Sequence, residues 1–324
     1  MADVEQLIVA GREVVRISSD QLRLDIVPGL GGTAVSLVRL EDETELLWPS
    51  PWGLRHPDAY RLPGTAENTM LDSFPGGWQT IFPNGGDSAT VNGAEWGFDG
   101  EARVAWCDWQ QAGSSLILTS RLTRSPFQLT KIISVQDDEI TVGETVKNVG
   151  DDHLDVMWGS QLILGAPLVG PDTTIDASAT LVHPDARQTP DAGYDDILPW
   201  PRSYGPGGMI NLRSVPPSDQ QSTRSAYLSD FSTPAVRVTN PRVGLRVDLS
   251  WDGAVWPHLW YQLETGGRRG YPWFGAAYFL SLTPSSSWPA LGVHEARRVS
   301  ASTLRIYPGA ARTSHFSVRV SRPA

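Results

Sequence analysis

Apolar and polar residues alternate one by one through segment after segment of this chain. In GLRVDLSWD (244–252) each apolar residue is followed by a polar or charged one, and LRLDI (22–26) and EITVGETVKNV (139–149) repeat the pattern. Successive side chains of a β-strand point to opposite faces, so this alternation is typical of half-buried antiparallel strands. The sequence therefore predicts an all-β fold.

Turn residues interrupt the alternation too often for long helices. The 324 residues include 31 Gly and 25 Pro, and no segment has the pattern of a helix of three turns. No low-complexity linker divides the chain, so we expect a single domain over 1–324, built as one large antiparallel β-sandwich. The polar, Pro- and Gly-rich stretch 183–225 is too long for a hairpin loop, and we expect it to form binding loops over one face.

Composition argues against several classes of partner. The net charge is −10 and no Lys/Arg run is present, which argues against nucleic acid and anionic membranes. No apolar run approaches the roughly 20 residues of a membrane span. The N-terminal residues do not resemble a signal peptide, so we expect a cytoplasmic protein. The sequence indicates no oligomeric state.

Cysteine and histidine give no sign of a metal site. Cys107 is the single cysteine, which excludes an internal disulfide and a cysteine-based metal site, and we expect it to be a buried apolar residue. The six histidines are scattered without metal-ligand spacing. We expect no metal and no cofactor.

Tryptophan is unusually abundant, with 13 Trp against 8 Phe. An indole can stack on the apolar face of a pyranose ring, but large indoles also fill β-sandwich cores. Trp78, Trp96 and Trp260 are the candidate stacking residues, and each has the core as its alternative.

A glycine-rich segment, SFPGGWQTIFPNGGDSATVNGAEWGFDGEA (73–102), is the first candidate site. Glycine pairs allow close approach of the backbone to a ligand, but no Lys-Ser/Thr follows them, so a phosphate loop is not predicted. The segment brings polar groups to one neighbourhood, namely Asn84, Asp87, Asp99 and Glu101. Asn-Gly and Asp-Gly are also ordinary turn dipeptides, so the residues alone leave a site and a plain loop open.

The strand PHLWYQLE (257–264) is the second candidate. One of its faces is apolar, and the other carries His258, Trp260, Gln262 and Glu264. Burying the second face without partners would cost several kcal/mol. Because the first face already supplies the apolar side, we expect the polar face to line a site.

Taken together and in order, these segments resemble the aldose 1-epimerase (galactose mutarotase-like) family over nearly the whole chain. GWQTIFPNGGD (77–87) is similar to the family's glycine-rich stretch, and WGFDGEARVAW (96–106) to its His-Gly-Glu segment. VMWGSQLILGAP (156–167) resembles its Trp-Gly-His-His-Pro strand, and 256–287 its late hairpin. The resemblance implies a large antiparallel β-supersandwich, in agreement with the periodicity.

The family's chemistry implies three catalytic positions, and all three are changed here. Mutarotases open the sugar ring while a carboxylate deprotonates the anomeric hydroxyl and a histidine protonates the ring oxygen. The first histidine falls at Asp99, the second at Ser160 or Gln161, and the glutamate base at Thr283. A threonine hydroxyl cannot replace a carboxylate base at neutral pH.

We therefore expect an aldose 1-epimerase-like protein, an isomerase of carbohydrate metabolism, whose partner is a small-molecule carbohydrate and whose acid–base groups have moved. Glu264 is the expected general base, with His258 or Asp99 as its proton partner. If 257–264 and 275–283 form a hairpin, His258 lies within about one residue of Thr283 in the register.

The expected hydroxyl-binding groups are Asn84, Glu101, Gln161 and Asp230. Asp230 rests on YLSDF before a strand, as in the family, and its alternative is a turn aspartate. Two other functions remain open: a catalytically silent sugar-binding protein, and a different proton abstraction (epimerase or lyase) on a modified sugar.

Overall fold

The chain folds almost entirely as β-sheet. A computed structural model describes residues 3–59, 62–189, 192–205, 207–217 and 219–323. Strands take up 51% of the chain and helices 8%, which confirms the predicted all-β class. The strands are β1 (Asp3–Val9), β2 (Arg12–Ser18), β3 (Leu22–Val27), β4 (Thr33–Arg39), β5 (Thr44–Glu45), β6 (Trp78–Ile81), β7 (Ala89–Val91), β8 (Ala94–Trp96), β9 (Asp108–Ala112), β10 (Ser115–Arg121), β11 (Phe127–Gln136), β12 (Glu139–Asn148), β13 (Leu154–Val156), β14 (Gly159–Leu164), β15 (Thr174–Pro184), β16 (Leu198–Pro199), β17 (Arg202–Gly205), β18 (Gly208–Asn211), β19 (Thr223–Asn240), β20 (Leu245–Trp251), β21 (His258–Thr265), β22 (Tyr278–Ser285), β23 (Leu304–Ile306) and β24 (Ala311–Ser321).

The helices are short, as the frequent Gly and Pro predict. Within the described residues, the α-helices are α1 (Ala66–Asp72) and α2 (Val293–Ser300), and three 3-10 turns cover Pro28–Leu30, Ala102–Val104 and Pro241–Val243. Thr65 caps α1, because its hydroxyl accepts a hydrogen bond from the Asn68 N–H at 3.1 Å. In the part of the chain that the structure describes, no helix is long and apolar enough to cross a membrane.

Eighteen strands form one continuous antiparallel sheet that folds into two layers. One layer runs β9–β10–β11–β12–β24–β20, and the other runs β21–β22–β14–β6–β4–β3–β2–β1. The long strand β19 joins them, because residues 223–228 pair with β21 and residues 235–240 pair with β20. Beside it, β15 follows both halves, with a bulge between Ala177 and Ala179.

The core lies between these layers and is supplied by the apolar half of each alternating strand. On β20, for example, Leu245, Val247, Leu249 and Trp251 are buried, and on β21 the residues Leu259, Tyr261 and Leu263 are buried. The opposite face of β21 and its neighbours carries polar side chains. That outer face forms the floor of the cleft described next.

Candidate functional site

Four neighbouring strands, β14, β22, β21 and β19, present two rows of side chains on the outer face of their layer. The first row reads Gln161, Thr283, Trp260 and Tyr227, and the second reads Ile163, Ser281, Gln262 and Ser225. Strands lie about 4.8 Å apart, so each row spans about 14 Å. All eight residues line one cleft of about 150 Å³. The two rows form its floor.

Loops from distant parts of the sequence build the walls of this cleft. One wall comes from the glycine-rich segment, with Gly86, Phe98 and Asp99, and another from the end of β15, with Asp185, Arg187 and Gln188. Helix α1 and Phe74 form a third wall, and the loop between β21 and β22 brings Arg268 and Trp273. The long stretch 183–225 therefore contributes to a cleft, as the sequence predicts, although residues 190, 191, 206 and 218 lie outside the described residues.

The glycine pair 85–86 is required by close packing against the cleft. A Cβ on Gly85 would lie 2.5 Å from the Trp260 ring, and one on Gly86 would lie 1.9 Å from the Ala290 carbonyl oxygen. Gly86 also has a φ of +73°, in the left-handed region that glycine adopts readily. The pair therefore lets the loop close over Trp260.

Asp99 lies at the start of a hydrogen-bonded chain that crosses beneath the cleft. Its Oδ1 accepts from the Gly86 N–H at 2.8 Å, and its Oδ2 accepts from Arg103 Nη1 at 3.1 Å. Arg103 also donates to Gln79 at 2.6 Å, and Gln79 donates to the Gln161 side chain at 2.6 Å. Burial raises the pKa of Asp99, while the Arg103 guanidinium opposes the shift. This series of hydrogen bonds fixes the side chains of Asp99 and Gln161, the two cleft residues at its ends.

Asp185 supplies a second carboxylate to the cleft. It is 3% exposed; its Oδ2 accepts from the Ser225 hydroxyl at 3.0 Å and its Oδ1 from the Arg187 N–H at 3.1 Å. Arg187 donates to Asp87 and to the Ala290 carbonyl, each at 3.0 Å. Tyr227 accepts from the Ala290 N–H at 3.1 Å, and burial holds the pKa of its phenol well above the ordinary value. Tyr227 thus stays a hydroxyl donor.

Trp260 is the tryptophan of the floor. Its Nε1 donates to the Ser287 carbonyl at 2.6 Å, which fixes the plane of the indole, and its ring meets Tyr227 edge-on with centroids 6.5 Å apart. The other two candidate stacking residues do not line the cleft. Trp78 is 4% exposed and donates to the Ser160 hydroxyl at 2.8 Å, and Trp96 is 2% exposed. Both pack in the hydrophobic core.

Glu264 is on the predicted face of β21 but does not line the cleft. It is 0% exposed, and its carboxylate accepts from the Thr223 hydroxyl at 2.8 Å and from the Gly267 and Arg268 N–H groups at 2.5 and 3.1 Å. Arg268 Nε lies 3.7 Å away. This arrangement ties Glu264 to the loop that carries Arg268 and Trp273.

His258 also lies outside the cleft lining, and its predicted place in the register was wrong. It pairs with Ser285, whereas Trp260 pairs with Thr283, because the loop joining β21 to β22 sets Thr265 opposite Tyr278. Trp288 lies beside it and stacks on His183 with centroids 4.2 Å apart. Burial, aided by His183, lowers the pKa of His258 to about 4. The imidazole is therefore neutral at pH 7.

The remaining predicted binding residues hold the scaffold. Asn84 is 0% exposed; its amide donates to the carbonyls of Asp87 and Gly97 and accepts from the Val293 N–H, which joins the glycine-rich loop to α2.

Two further carboxylates from the sequence prediction also lie away from the floor. Glu101 accepts from the N–H groups of Thr123 and Arg124 and from the Ser125 hydroxyl, so it closes a neighbouring turn. Asp230 is exposed on β19, has a φ of +57° and accepts from the Thr180 hydroxyl. Neither residue lines the cleft.

Several cleft residues had no place among the sequence candidates. Asp185 and Arg187 come from the stretch 183–225, whose length was a signal without residue detail. Tyr227 lies just after that stretch on β19, and Trp273 comes from a loop. Ser281 lies two residues before Thr283 and therefore on the same face of β22, so the alternation of side chains could have predicted its place beside Thr283.

Within the described ranges, no three side chains of the types His, Cys, Asp and Glu are grouped closely enough to hold a metal ion. Cys107 is buried, as expected, and burial raises the pKa of its thiol. The described residues that line the cleft supply carboxylates, hydroxyls, amides and guanidinium groups.

Several solved structures with a similar fold are galactose mutarotase-like or related proteins. A galactose mutarotase-like protein from Clostridium acetobutylicum shares 11% identity over 99% of each chain, with a TM-score of 0.68. Another, from Lactobacillus casei, shares 15% identity over 95% of this chain and 99% of that one, with a TM-score of 0.66. A galactose mutarotase related enzyme from Lactobacillus acidophilus shares 12% identity over 96% and 100%, with a TM-score of 0.66.

The chain has the galactose mutarotase-like fold. No family model and no curated protein matches its sequence. At these identities the neighbours show the fold alone. Of the residues that the sequence resemblance aligned with the family's catalytic positions, Asp99, Gln161 and Thr283 line the cleft, and Ser160, the alternative to Gln161, does not.

Proposed function

We propose that the cleft binds a reducing monosaccharide and interconverts its anomers. The observation that carries this proposal is the floor itself. Hydroxyl and amide side chains on rigid strands surround Trp260, and the carboxylates Asp99 and Asp185 stand in the adjoining walls. Fixed polar groups beside an aromatic ring suit a ligand that has hydroxyls around its edge and C–H groups on its face.

Anomer interconversion needs one base and one acid at two oxygens of the sugar. In the proposed reaction, Asp185 removes the proton from the anomeric hydroxyl while Asp99 protonates the ring oxygen, and the bond between C1 and that oxygen breaks. Rotation about the C1–C2 bond and reclosure on the other face, with the proton transfers reversed, give the other anomer. Asp99 suits the role of acid because burial raises its pKa.

Glu264 and His258, the base and proton carrier favoured by the sequence, are given positioning roles in this proposal. Glu264 holds the β21–β22 loop and His258 lies beside Trp288, and neither is among the cleft residues. Gln161, Thr283 and Tyr227 are proposed to bind sugar hydroxyls.

A silent carbohydrate-binding protein is the second candidate. Both oxygens of Asp99 already accept hydrogen bonds, from Gly86 and Arg103, and no histidine is among the described residues that line the cleft. These observations favour binding without turnover.

The test is the rate at which freshly dissolved α-glucose and α-galactose mutarotate, followed by polarimetry with and without the protein. We expect acceleration that falls by about a hundredfold or more in Asp185→Asn and in Asp99→Asn, because acid–base groups contribute about 10²–10⁴ in rate. Asp230→Asn is the matched control, since Asp230 lies outside the cleft and Asn tolerates its positive φ.

Absence of acceleration with both sugars would refute the isomerase proposal. Calorimetric titration with the same sugars then separates the two candidates. Measurable binding without turnover would establish the silent binder, and absence of binding would remove both.

A further inference from the structure

The cleft has a second end with a different chemistry. Beyond the two rows the lining becomes apolar, and we call this part the aromatic end; it is formed by Met70, Leu71, Phe74, Trp273 and Phe279, with Ile163 of the second row at its border. These side chains belong to an apolar cluster separate from the main core. Trp52 stacks on Trp273 with centroids 5.4 Å apart, and Trp48 meets the same ring edge-on at 5.2 Å. The Trp273 ring of the aromatic end is therefore held in place by two neighbouring tryptophan rings.

The aromatic end is too far from the first polar row for one sugar ring to lie on both. Phe279 and Thr283 lie on the same face of β22, four residues apart, which corresponds to about 13 Å along the strand. A sugar bound over Trp260 and Thr283 leaves the Phe279 end of the cleft for another part of the ligand.

A second sugar does not match this end. Apart from Arg268, the lining there offers no charged or hydroxyl side chain among the described residues, so sugar hydroxyls would lose water without gaining partners. Arg268 Nε lies 3.7 Å from the buried carboxylate of Glu264, so that carboxylate offsets its charge. An apolar group, in contrast, gains free energy by leaving water against Phe74, Trp273 and Phe279.

The two ends are joined through one guanidinium group. Arg103 contacts Asp99 at 3.1 Å, and its Cζ lies 5.0 Å from the centre of the Phe74 ring. Arg103 therefore supports both Asp99, the proposed acid, and Phe74 of the aromatic end. The distance between these two parts of the cleft is fixed, so a ligand bound at the aromatic end has its other part at a defined distance from Asp99.

We propose that the ligand of this cleft is a reducing sugar carrying an aromatic or aliphatic substituent away from the anomeric carbon. The substituent occupies the aromatic end while the sugar ring lies on the polar rows. This proposal rests on the proposed function, because it takes the polar rows as the sugar subsite and requires a free anomeric hydroxyl for turnover.

The test compares glucose and galactose with their 3-, 4- and 6-O-benzyl ethers. Affinity is measured by calorimetry and anomer exchange by NMR, which remains measurable because each ether keeps its anomeric hydroxyl free. We expect at least one ether to bind about tenfold or more tightly than its parent sugar. In Trp273→Ala this ratio should fall towards one.

Leu71→Asn provides a second variant, because Leu71 is half-buried on α1 and its replacement keeps the surrounding ring cluster. It should lower the same ratio even if Trp273→Ala fails to fold. Phe274→Ala is the matched control: Phe274 is the next residue in the same loop, is 72% exposed and does not line the cleft. The ratio should be unchanged in this control.

The outcomes separate the two proposals. If the parent sugars bind and the ethers bind no more tightly, the substituent proposal is overturned and the proposed function stands. Tight binding of an ether without anomer exchange would support the substituent proposal and refute the isomerase. If neither parents nor ethers bind, both proposals fail.

Discussion

Replacing Glu264 by Gln distinguishes a catalytic base from a residue that holds a loop. Three hydrogen bonds of 2.5–3.1 Å reach its carboxylate, two of them from the backbone of Gly267 and Arg268. A hydrogen bond to a charged group contributes about 1.5–3 kcal/mol, against about 0.5–1.5 kcal/mol for a neutral pair. Gln can keep the two backbone bonds as neutral ones.

The expected cost follows from those bonds. Each backbone bond loses about 1 kcal/mol when the charge is removed, and the new amide group faces Arg268, whose side chain has no acceptor. We therefore expect Glu264→Gln to lower the free energy of unfolding by about 2–3 kcal/mol, measured by urea denaturation. The affinity for an ether ligand should fall, because Arg268 and Trp273 lie on the released loop, while kcat should change less than threefold.

Glu101→Gln is the control for this experiment. Glu101 also accepts hydrogen bonds from two backbone N–H groups and one hydroxyl, but it closes a turn away from the cleft. It should lose stability without a change in ligand affinity. The reasoning is refuted if Glu264→Gln leaves stability unchanged and lowers kcat a hundredfold, since that is the behaviour of a general base.

Three other changes test the placement of single residues. The pKa of His258 is about 4 in the folded chain against 6.5 for the free group, so the unfolded chain binds the proton more readily. The free energy of unfolding should therefore fall by about 3 kcal/mol as the pH decreases from 6.5 to 4. His258→Gln should remove this part of the pH dependence, measured by urea denaturation at each pH. Trp260→Ala should weaken sugar binding about tenfold by calorimetry, whereas Trp106→Ala, at a residue 63% exposed, should not. Gly85→Ala should cost about 1–3 kcal/mol in unfolding free energy, because its Cβ would press on Trp260; Gly143→Ala, with open space around its Cβ, should leave stability nearly unchanged.

Period-two patterning was enough to predict the fold class and the apolar faces of strands such as β20 and β21. These faces follow from backbone geometry, which assigns every second side chain to the core. The same pattern pointed to Trp260 and Gln262, which line the cleft. It could not show where along β21 the cleft ends, because the loop after β15 and the segment around Trp288 reach β21 and its neighbours from remote parts of the chain.

Asp185 and Trp273 show why the walls were beyond sequence reasoning. Neither lies in a periodic segment, and each reaches the cleft only because the sheet brings β15 and the β21–β22 loop beside the glycine-rich segment. Conversely, Asn84, Glu101 and Glu264 carry the residue types expected of a sugar site but are saturated by backbone N–H and C=O groups. A polar side chain in a loop-rich β-protein has loop backbone as its nearest competitor for hydrogen bonds.

Hydrogen bonds from neighbouring protein groups also hold the cleft residues in place without a ligand. Asp99 is held by Gly86 and Arg103, and Gln161 is held by Gln79, so their positions depend on partners beneath the cleft and not on a ligand. On such a support, a substitution of Asp99 or Gln161 by another polar residue would alter which protons can move while the floor around Trp260 stays in place. In the proposed reaction the base lies in a neighbouring wall, as Asp185, whose carboxylate is held by the Ser225 hydroxyl of the floor.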